Sequence, residues 1–160
     1  MKVFITGGLG QIGSHIAELF LERGDKVHVI DNLATGRIEH LSKHKNLEIT
    51  IDTISNKKLV DELFKNFQPD IVIHTAASYK DPNDWYNDTL TNCVGGSNII
   101  SASIRHNINR FIYFQTSLCY GKPKVLPIPI NHSIDPFTSY GISKAAAENF
   151  LFLSELPVIS

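Results

Sequence analysis

The sequence predicts an α/β protein built on a doubly wound parallel sheet, and two observations support this prediction. Apolar, strand-like segments alternate with segments of helical periodicity along the 160 residues, and the connections between strands are too long for hairpins. In addition, a glycine cluster lies between the first strand and the first helix, and an acidic residue ends the second strand. Crossover connections of this kind join parallel strands and are right-handed.

The first strand, Val3 to Thr6, leads into the first helix through the glycine cluster. That cluster consists of Gly7, Gly8, Gly10 and Gly13. The helix places four large apolar residues at the spacing of one face, and we expect that face to be buried. These residues are Ile12, Ile16, Leu19 and Phe20. The second strand, Lys26 to Ile30, is followed directly by Asp31.

The alternation continues through the middle of the chain. A polar loop with a helical turn around residues 37–42 precedes a third strand, Leu47 to Ile51, which ends at Asp52. Residues 57–67 carry apolar side chains at helical spacing. Residues 70–77 are a nearly continuous apolar run, which is typical of a strand buried on both faces.

Two helices and two strands are predicted for the rest of the chain. Residues 84–107 favour one long helix despite the Gly95–Gly96 pair, and residues 109–115 form a further buried strand. A proline-rich loop then leads to a helix over residues 138–153. Residues 156–160 open a sixth strand.

The glycine cluster predicts a dinucleotide site. Small residues allow a sharp turn and a close approach of pyrophosphate to the main chain, and the first N–H groups of the helix, around Gln11 to Ser14, face that anion. Asp31 can accept hydrogen bonds from a ribose diol, and its carboxylate would repel a 2′-phosphate, so NAD is favoured over NADP. A tight turn without a ligand remains the alternative interpretation.

The segment YGISK, residues 140–144, predicts a catalytic pair. Positions i and i+4 share a helix face, so Lys144 lies beside Tyr140. A nearby cation favours phenolate, and we expect Lys144 together with the positive nicotinamide of bound NAD to lower the pKa of Tyr140 from about 10 towards neutrality, which requires about 4 kcal/mol. Thr116 or Ser117, at the end of the preceding strand, can bind a substrate oxygen. A chance YxxxK spacing and an ordinary Ser/Thr turn are the alternatives.

Composition and charge exclude several classes of protein. A net charge of −1 and a pI near 6.6 give no electrostatic case for binding nucleic acid or an anionic membrane, and no apolar run approaches the roughly 20 residues of a membrane span. Cys93 and Cys119 are too isolated for a disulfide framework or a zinc site, and His40 and His44 lack carboxylate support as metal ligands. With the first strand beginning at the N-terminus, no signal peptide is predicted, and we expect a cytoplasmic protein without a metal.

Together these motifs resemble the extended short-chain dehydrogenase/reductases, in the NAD-dependent epimerase/dehydratase group that acts on nucleotide sugars. The resemblance covers essentially the whole chain. It rests on TGGLGQIG (6–13), Asp31, Asp52, HTAA (74–77), Asn92, TSLCYG (116–121) and YGISK (140–144). It implies that residues 1–160 form an incomplete NAD-binding domain of the Rossmann type, and that the C-terminal substrate domain of the family is absent from this chain.

The resemblance also implies a role for each matching residue. The cofactor residues are Gly7, Gly10, Gln11, Ile12 and Gly13 at the pyrophosphate, Asp31 and Asn32 at the adenosine ribose, Asp52 and Thr53 at adenine, Ala76 and Ala77 beside the nicotinamide, Asn92 as support for the strand end, and Tyr140 and Lys144 at the nicotinamide end. The catalytic residues are Thr116, which binds the substrate oxygen, Tyr140 as the base, and Lys144, which binds the nicotinamide ribose and tunes Tyr140.

One departure from the family narrows the reaction. Dehydratases of the family carry Asp-Glu after the Thr, whereas this chain has Ser117 and Leu118, and Leu cannot transfer a proton. Decarboxylating relatives also tend to keep that Glu. The resemblance therefore implies 4-epimerisation of a nucleotide sugar through a transient 4-keto sugar, in polysaccharide biosynthesis. Lys80 hints at a UDP-uronic acid substrate, although a solvated loop lysine is the more ordinary interpretation.

Other readings of the sequence stay open. The same family includes nucleotide-sugar reductases, dehydrogenases and decarboxylases, and a non-catalytic NAD-binding scaffold or redox sensor would keep the fold for binding alone. The resemblance further implies a homodimer formed by helices 84–107 and 138–153. Four apolar residues are expected on the outward faces of these helices: Ile100, Ile104, Phe150 and Leu151.

Overall fold

Six strands form one parallel sheet in the computed structural model, which describes residues 1–160. They are β1 (Lys2–Thr6), β2 (Lys26–Asp31), β3 (Leu47–Ile51), β4 (Ile71–His74), β5 (Arg110–Tyr113) and β6 (Val158–Ile159). The spatial order is β3-β2-β1-β4-β5-β6, and every neighbouring pair is parallel. The strand order reverses between β1 and β4, where doubly wound sheets open a crevice for ligands. The predicted fold class is confirmed.

Five α-helices cover the two faces of the sheet. They are α1 (Gln11–Glu22), α2 (Lys57–Phe67), α3 (Trp85–Asp88), α4 (Gly96–Arg105) and α5 (Ser139–Phe152). Side-chain caps fix three of the helix starts: Asn56 Oδ1 accepts from the Leu59 N–H at 3.3 Å, Asp84 Oδ1 from the Asn87 N–H at 3.1 Å, and Thr138 Oγ1 from the Gly141 N–H at 3.0 Å. None of the helices is both long enough and apolar enough to cross a membrane.

The core is divided between the two faces of the sheet. Along β1 the side chains alternate, so Val3 and Ile5 pack with Ala17 and Leu21 of α1, while Phe4 packs on the other face with Phe64 of α2. The Phe4 and Phe64 rings lie 4.8 Å apart between centroids. Both faces of the central strands are therefore buried, as the continuous apolar runs predict.

The buried face of α1 differs from the prediction. Ile12 and Leu19 are 53% and 65% exposed, and the buried residues of the helix are Gly13, Ser14, Ala17 and Leu21. The reason is the distance between helix and sheet, since a Cβ on Gly13 would lie only 2.7 Å from the Gly8 Cα. Only small side chains fit at such a close approach. The large apolar side chains of α1 lie at the edge of this contact, where Ile16 and Phe20 are partly buried.

Two predicted strands are shorter than their apolar runs. The run 70–77 is a strand only to His74, because its partner β1 ends at Thr6. Likewise β5 ends at Tyr113, opposite His74, and not at residue 115. Residues 75–77 and 114–115 leave the sheet at its carboxyl edge and are free to line a cleft.

The predicted helix over residues 84–107 is interrupted in its middle. A π-helical segment, Thr89–Gly95, joins α3 to α4. Gly95 lies against Ile54 with no room for a side chain, since a Cβ there would come within 2.6 Å of Ile54 Cγ1. Of the residues expected on the outward faces of this helix and α5, Ile100 and Leu151 are buried in the core, because those helix faces cover the sheet. Ile104 and Phe150 are exposed.

Candidate active site

A cleft of about 530 Å³ lies at the carboxyl edge of the sheet. It is lined by segments that follow β1 to β5, which meet there because all the strands are parallel. Every cofactor residue predicted from the sequence lines this cleft except Asn92, and of the three predicted catalytic residues Tyr140 and Lys144 line it. Thr116 lies just beyond the lining, next to Gln115.

The glycine turn at the start of α1 forms the floor of the cleft. Gly7 has φ of +66°, and a Cβ there would lie 2.7 Å from the backbone N of Ala76, so the turn accepts no side chain. Gly10 precedes α1 without a side-chain cap. The first backbone N–H groups of the helix therefore remain available to an anion, with the helix dipole adding to the attraction.

The Asp31 carboxylate is held at the edge of the cleft by the main chain. Its Oδ2 accepts from the Leu9 N–H at 3.0 Å, and its Oδ1 accepts from the Leu33 N–H at 2.8 Å. Each oxygen keeps a further lone pair for a ligand hydroxyl. Two other predicted residues lie near this end of the cleft: the Asn32 side chain accepts from the Ala34 N–H at 3.0 Å, and the Asp52 carboxylate accepts from the Thr53 N–H at 2.6 Å.

We expect the Asp31 carboxylate to select NAD over NADP by at least about tenfold in affinity, or about 1.4 kcal/mol. The carboxylate accepts from the ribose diol and repels a 2′-phosphate. Asp31→Ala should reduce the ratio by removing both effects, and Asp81→Ala, a change at another acidic residue that lines the cleft, should leave it near wild type. Calorimetric titration with both nucleotides measures the ratio, and equal wild-type affinities would contradict this assignment.

Lys144 brings a buried charge to the cleft. Lys144 is only 2% exposed. Its Nζ lies 3.9 Å from the centroid of the Tyr113 ring, which is a cation–π contact. The Tyr113 hydroxyl donates to the Lys144 carbonyl at 3.0 Å. Burial lowers the pKa of Lys144 to about 8, against the opposing effect of Glu148. A buried ammonium beside the cleft is suited to ribose hydroxyls, which can accept from it.

The chain alone does not lower the pKa of Tyr140. Burial raises this pKa above the ordinary value of about 10, and a hydrogen bond with Thr116 only partly offsets the rise. Lys144 is not among the groups that change this pKa, and its ammonium lies over the Tyr113 ring. Within the chain alone Tyr140 is therefore protonated at neutral pH, and the predicted lowering also requires the positive nicotinamide of bound NAD.

Asn92 supports the site from behind the cleft. Its side chain accepts from the Ser78 N–H at 2.9 Å and donates to the Ser78 carbonyl at 2.9 Å. It also donates to Ser143 Oγ at 2.9 Å. Asn92 thus ties the segment after β4 to α5, and it makes no part of the cleft surface.

Lys80 joins two loops across the edge of the cleft. Its ammonium donates to the Ala34 carbonyl at 2.6 Å, which links the loop after β4 to the loop after β2. The side chain is exposed to solvent, but its ammonium is also hydrogen-bonded to the main chain of the other loop.

The structure also brings to the cleft residues to which the sequence analysis gave no cofactor-binding or catalytic role. They include Thr75, Ser78, Tyr79, Asp84, Asn87, Thr91, Phe114 and Gln115. The Tyr79 ring lies 6.1 Å from the Tyr140 ring. Most of these residues directly follow the ends of β4 and β5, so their place after a parallel strand was the available signal. No group of three His, Cys, Asp or Glu side chains is arranged to hold a metal ion.

The cleft fits a dinucleotide by three features of the chain. The glycine turn has no room for a Cβ where a pyrophosphate must approach, the Asp31 carboxylate lines the cleft and can accept from ribose hydroxyls, and Lys144 lines it as well. The Lys144 ammonium can donate to ribose hydroxyls.

Comparison with solved structures agrees with this geometry. The chain superimposes on the Bordetella bronchiseptica enzyme WbmH, solved in complex with NAD+, with a TM-score of 0.95 and 60% identity, over 98% of this chain and 53% of that one. It also superimposes on WbmG of the same organism, solved with NAD and UDP, with a TM-score of 0.95 and 44% identity, over 98% of this chain and 50% of that one.

Sequence comparison extends the likeness to enzymes of stated activity. The chain is 32% identical to the UDP-glucose 4-epimerase of Halalkalibacterium halodurans over 154 residues, which is 92% of this chain and 44% of that protein. The chain thus spans about half the length of the relatives it matches. The sequence profile of the NAD dependent epimerase/dehydratase family matches residues 3–153, and the chain belongs to that family.

Proposed function

We propose that this protein is an NAD-dependent nucleotide-sugar epimerase, which inverts C4 of a UDP-sugar through a transient 4-keto sugar. The observation that carries the proposal is the placement of Tyr140 and Lys144 in the same cleft as the glycine turn. Two likenesses support the substrate class: the relative in Halalkalibacterium halodurans is a UDP-glucose 4-epimerase, and WbmG was solved with NAD and UDP.

In this mechanism Tyr140 receives the proton of the C4 hydroxyl and later returns it. Thr116, whose hydroxyl lowers the pKa of Tyr140, binds the same substrate oxygen and assists the proton transfer. Lys144 binds the nicotinamide ribose and holds a positive charge near the phenol. Bound NAD supplies the hydride acceptor and donor, and its positive nicotinamide supplies the field that lowers the Tyr140 pKa.

Two side chains beside Thr116 disfavour elimination and decarboxylation. Ser117 and Leu118 form a short 3-10 turn after Thr116, and the isobutyl group of Leu118 has no proton to exchange. An epimerase needs no second acid–base pair, because the hydride removed from one face returns to the other. A reductase or dehydrogenase that releases NADH is the second candidate, since it would use the same Thr116, Tyr140 and Lys144.

A substrate panel tests the proposal. The full-length protein is incubated with UDP-, GDP- and dTDP-sugars, and NMR identifies the products. We expect C4 epimers of UDP-sugars and no net change in NADH. Net oxidation or reduction of the sugar would favour the dehydrogenase, and NAD binding without any conversion would favour the scaffold. An epimerase should also retain NAD through purification, whereas a reductase should exchange it.

A uronic acid is the finer proposal for the sugar, and it rests on Lys80. That ammonium now bonds to the Ala34 carbonyl, so a sugar carboxylate must compete with this bond. Adding UDP-glucuronic acid and UDP-glucose to the panel tests the point. A preference for the acid that disappears in Lys80→Met supports it, and equal turnover of both sugars contradicts it.

A homodimer is proposed from the exposed apolar surface of two adjacent helices. The surface consists of Trp85, Tyr86, Val94 and Ile104 on the helix 85–105, with Ile142 and Phe150 on α5. Apolar patches of this kind mark interaction sites. We expect light scattering to give a dimer at micromolar concentration and Phe150→Glu to weaken it. Leu19→Glu, the same kind of change on exposed α1, is the control, and a wild-type monomer would contradict the proposal.

We place the protein in the cytoplasm, where nucleotide-sugar and NAD pools are found. Cys93 and Cys119 are both free thiols, which suits a reducing compartment.

A further inference from the structure

Glu148 is a buried carboxylate that the mechanism above does not use. It lies on α5 at successive steps of four residues from Lys144 and Tyr140, so the three side chains share one helix face. Glu148 is 8% exposed, and ionisable side chains of this kind are rarely buried unless they are paired. Its position next to the candidate active site therefore requires a reason.

The Glu148 carboxylate orients the side chain of Gln115. Gln115 Nε2 donates to Glu148 Oε2 at 2.7 Å. Because an ionised carboxylate can only accept, the amide must turn its NH2 towards Glu148 and its oxygen away. That oxygen, Gln115 Oε1, accepts from the Thr116 N–H at 2.9 Å. The chain of contacts runs from Glu148 through Gln115 to the main chain at Thr116.

The same contacts reach the surroundings of the phenol. The Thr116 hydroxyl is close enough to Tyr140 to lower the pKa of that phenol, so a shift of the Thr116 main chain changes the surroundings of Tyr140. The other Glu148 oxygen accepts from the Ser160 hydroxyl. Glu148 is thus held from two directions, and its carboxylate is a fixed element between β5 and α5.

Glu148 also faces the buried charge of Lys144, one helical turn earlier. Burial lowers the pKa of Lys144, and the negative charge of Glu148 is the effect that opposes this lowering. No acidic side chain lies within ion-pair distance of Lys144 Nζ. The charge of Glu148 acts on Lys144 across the helix face, without direct contact.

We propose that Glu148 is a positioning residue of this site: through Gln115 it fixes the main chain at Thr116, and its negative charge balances the buried ammonium of Lys144. The proposal rests on the proposed function for its consequence, because Thr116 and Lys144 are the groups that bind substrate and cofactor there. It adds a residue with no contact to either ligand.

The pKa values of four ionisable groups near Lys144 are shifted away from the range between pH 6 and pH 9. The groups facing this region are His74 on β4, Tyr113 on β5, Asp88 and Cys93 on the helix 85–105, and Tyr140 and Glu148 on α5. Burial lowers the pKa of His74 to about 3 and raises the pKa values of Tyr113, Tyr140 and Cys93. The titration of Lys144 is therefore the expected event in this window.

The test measures both roles in the full-length protein. NMR of lysine labelled with ¹³C at Cε follows the titration of Lys144, whose resonance is identified by its loss in Lys144→Arg. Amide hydrogen exchange reports on the Thr116 N–H. Glu148→Gln removes the charge but can still accept from Gln115. We expect it to lower the Lys144 midpoint by about one pH unit and to leave exchange at Thr116 within about twofold of wild type.

Gln115→Leu should give the opposite result. It keeps the Glu148 charge, so the Lys144 midpoint should change little, while the Thr116 N–H loses its acceptor and should exchange at least about tenfold faster. Glu62→Gln, the same substitution at an exposed residue of α2, is the control and should change neither value. If Glu148 and Gln115 only stabilised the fold, their substitutions would not change the Lys144 midpoint and the Thr116 exchange rate independently of each other.

Each outcome decides the proposal. A Lys144 midpoint unchanged in Glu148→Gln, or Thr116 exchange unchanged in Gln115→Leu, overturns it. If Glu148→Gln does not fold, Glu148→Asp replaces it: this variant keeps the charge and is too short to hold Gln115, so it should keep the midpoint and speed the exchange, and a lowered midpoint would overturn the proposal. Neither measurement needs a sugar, so a failure of the epimerase proposal appears in the substrate panel alone.

Discussion

Replacing Tyr140 by Phe should lower kcat of the full-length enzyme by about 10²–10⁴-fold, the usual cost of losing a general base. The change removes one oxygen and leaves the ring, which lies 6.1 Å from the Tyr79 ring, so the fold and the affinity for NAD should stay near wild type. Steady-state kinetics on the best sugar of the panel, with calorimetric titration of NAD, measures both quantities. Turnover within threefold of wild type would mean that Tyr140 is structural and that the proposed mechanism is wrong.

Two neighbouring substitutions serve as controls for this result. Lys144→Ala should weaken NAD binding as well as slow turnover, because Lys144 lines the cleft and its ammonium can donate to the ribose. Thr116→Val should lower turnover with little change in NAD affinity, since only its hydroxyl is linked to Tyr140. The pH profile adds a check. Burial raises the Tyr140 pKa in the chain alone, so an active phenol titrating well below 10 must depend on bound NAD, and its titration should return above 10 when NAD is removed.

Replacing Gly13 by Ala should have the second large effect, on both stability and NAD binding. A Cβ at this position would lie 2.7 Å from the Gly8 Cα, closer still to the Gly7 carbonyl oxygen, and 2.8 Å from Thr75 Oγ1. Two of these atoms belong to the backbone, so α1 or the glycine turn must move. We expect a loss of about 1–3 kcal/mol in the free energy of unfolding and at least about 100-fold weaker NAD binding. Denaturant unfolding and calorimetric titration measure these losses.

Gly96→Ala is the matched control. Its Cβ would lie 3.4 Å from the Ala147 Cβ, which is an ordinary contact. Gly96 begins α4, where Ala is the better helix former by up to about 1 kcal/mol. The control should keep NAD affinity and stability near wild type or slightly above. If Gly13→Ala behaved like Gly96→Ala, the glycine turn would not be the pyrophosphate site.

Several parts of this protein are encoded by residues close together in sequence. The alternation of strands and helices, the glycine turn ahead of α1, and the helix that carries Tyr140 and Lys144 all follow from local spacing, and the structure contains each of them. The parallel sheet then brings the strand ends to one edge. For this reason the predicted cofactor residues lie together in one cleft, although they come from separate segments between Gly7 and Lys144. Asn92 is the single exception.

Contacts between distant segments decided which side chains are buried and which groups they contact, because neither property can be read from residues close together in sequence. The buried face of α1 was wrong in the prediction, since helix-to-sheet distance selected Gly13 and Ala17 over larger side chains. Nor could the sequence show that burial raises the pKa of Tyr140 in the chain alone, or that the ring of Tyr113, 31 residues before Lys144 in the sequence, lies under the Lys144 ammonium. Sequence patterns thus determined which groups reach the cleft, and the tertiary structure determined the charge, burial and hydrogen-bond partners of each.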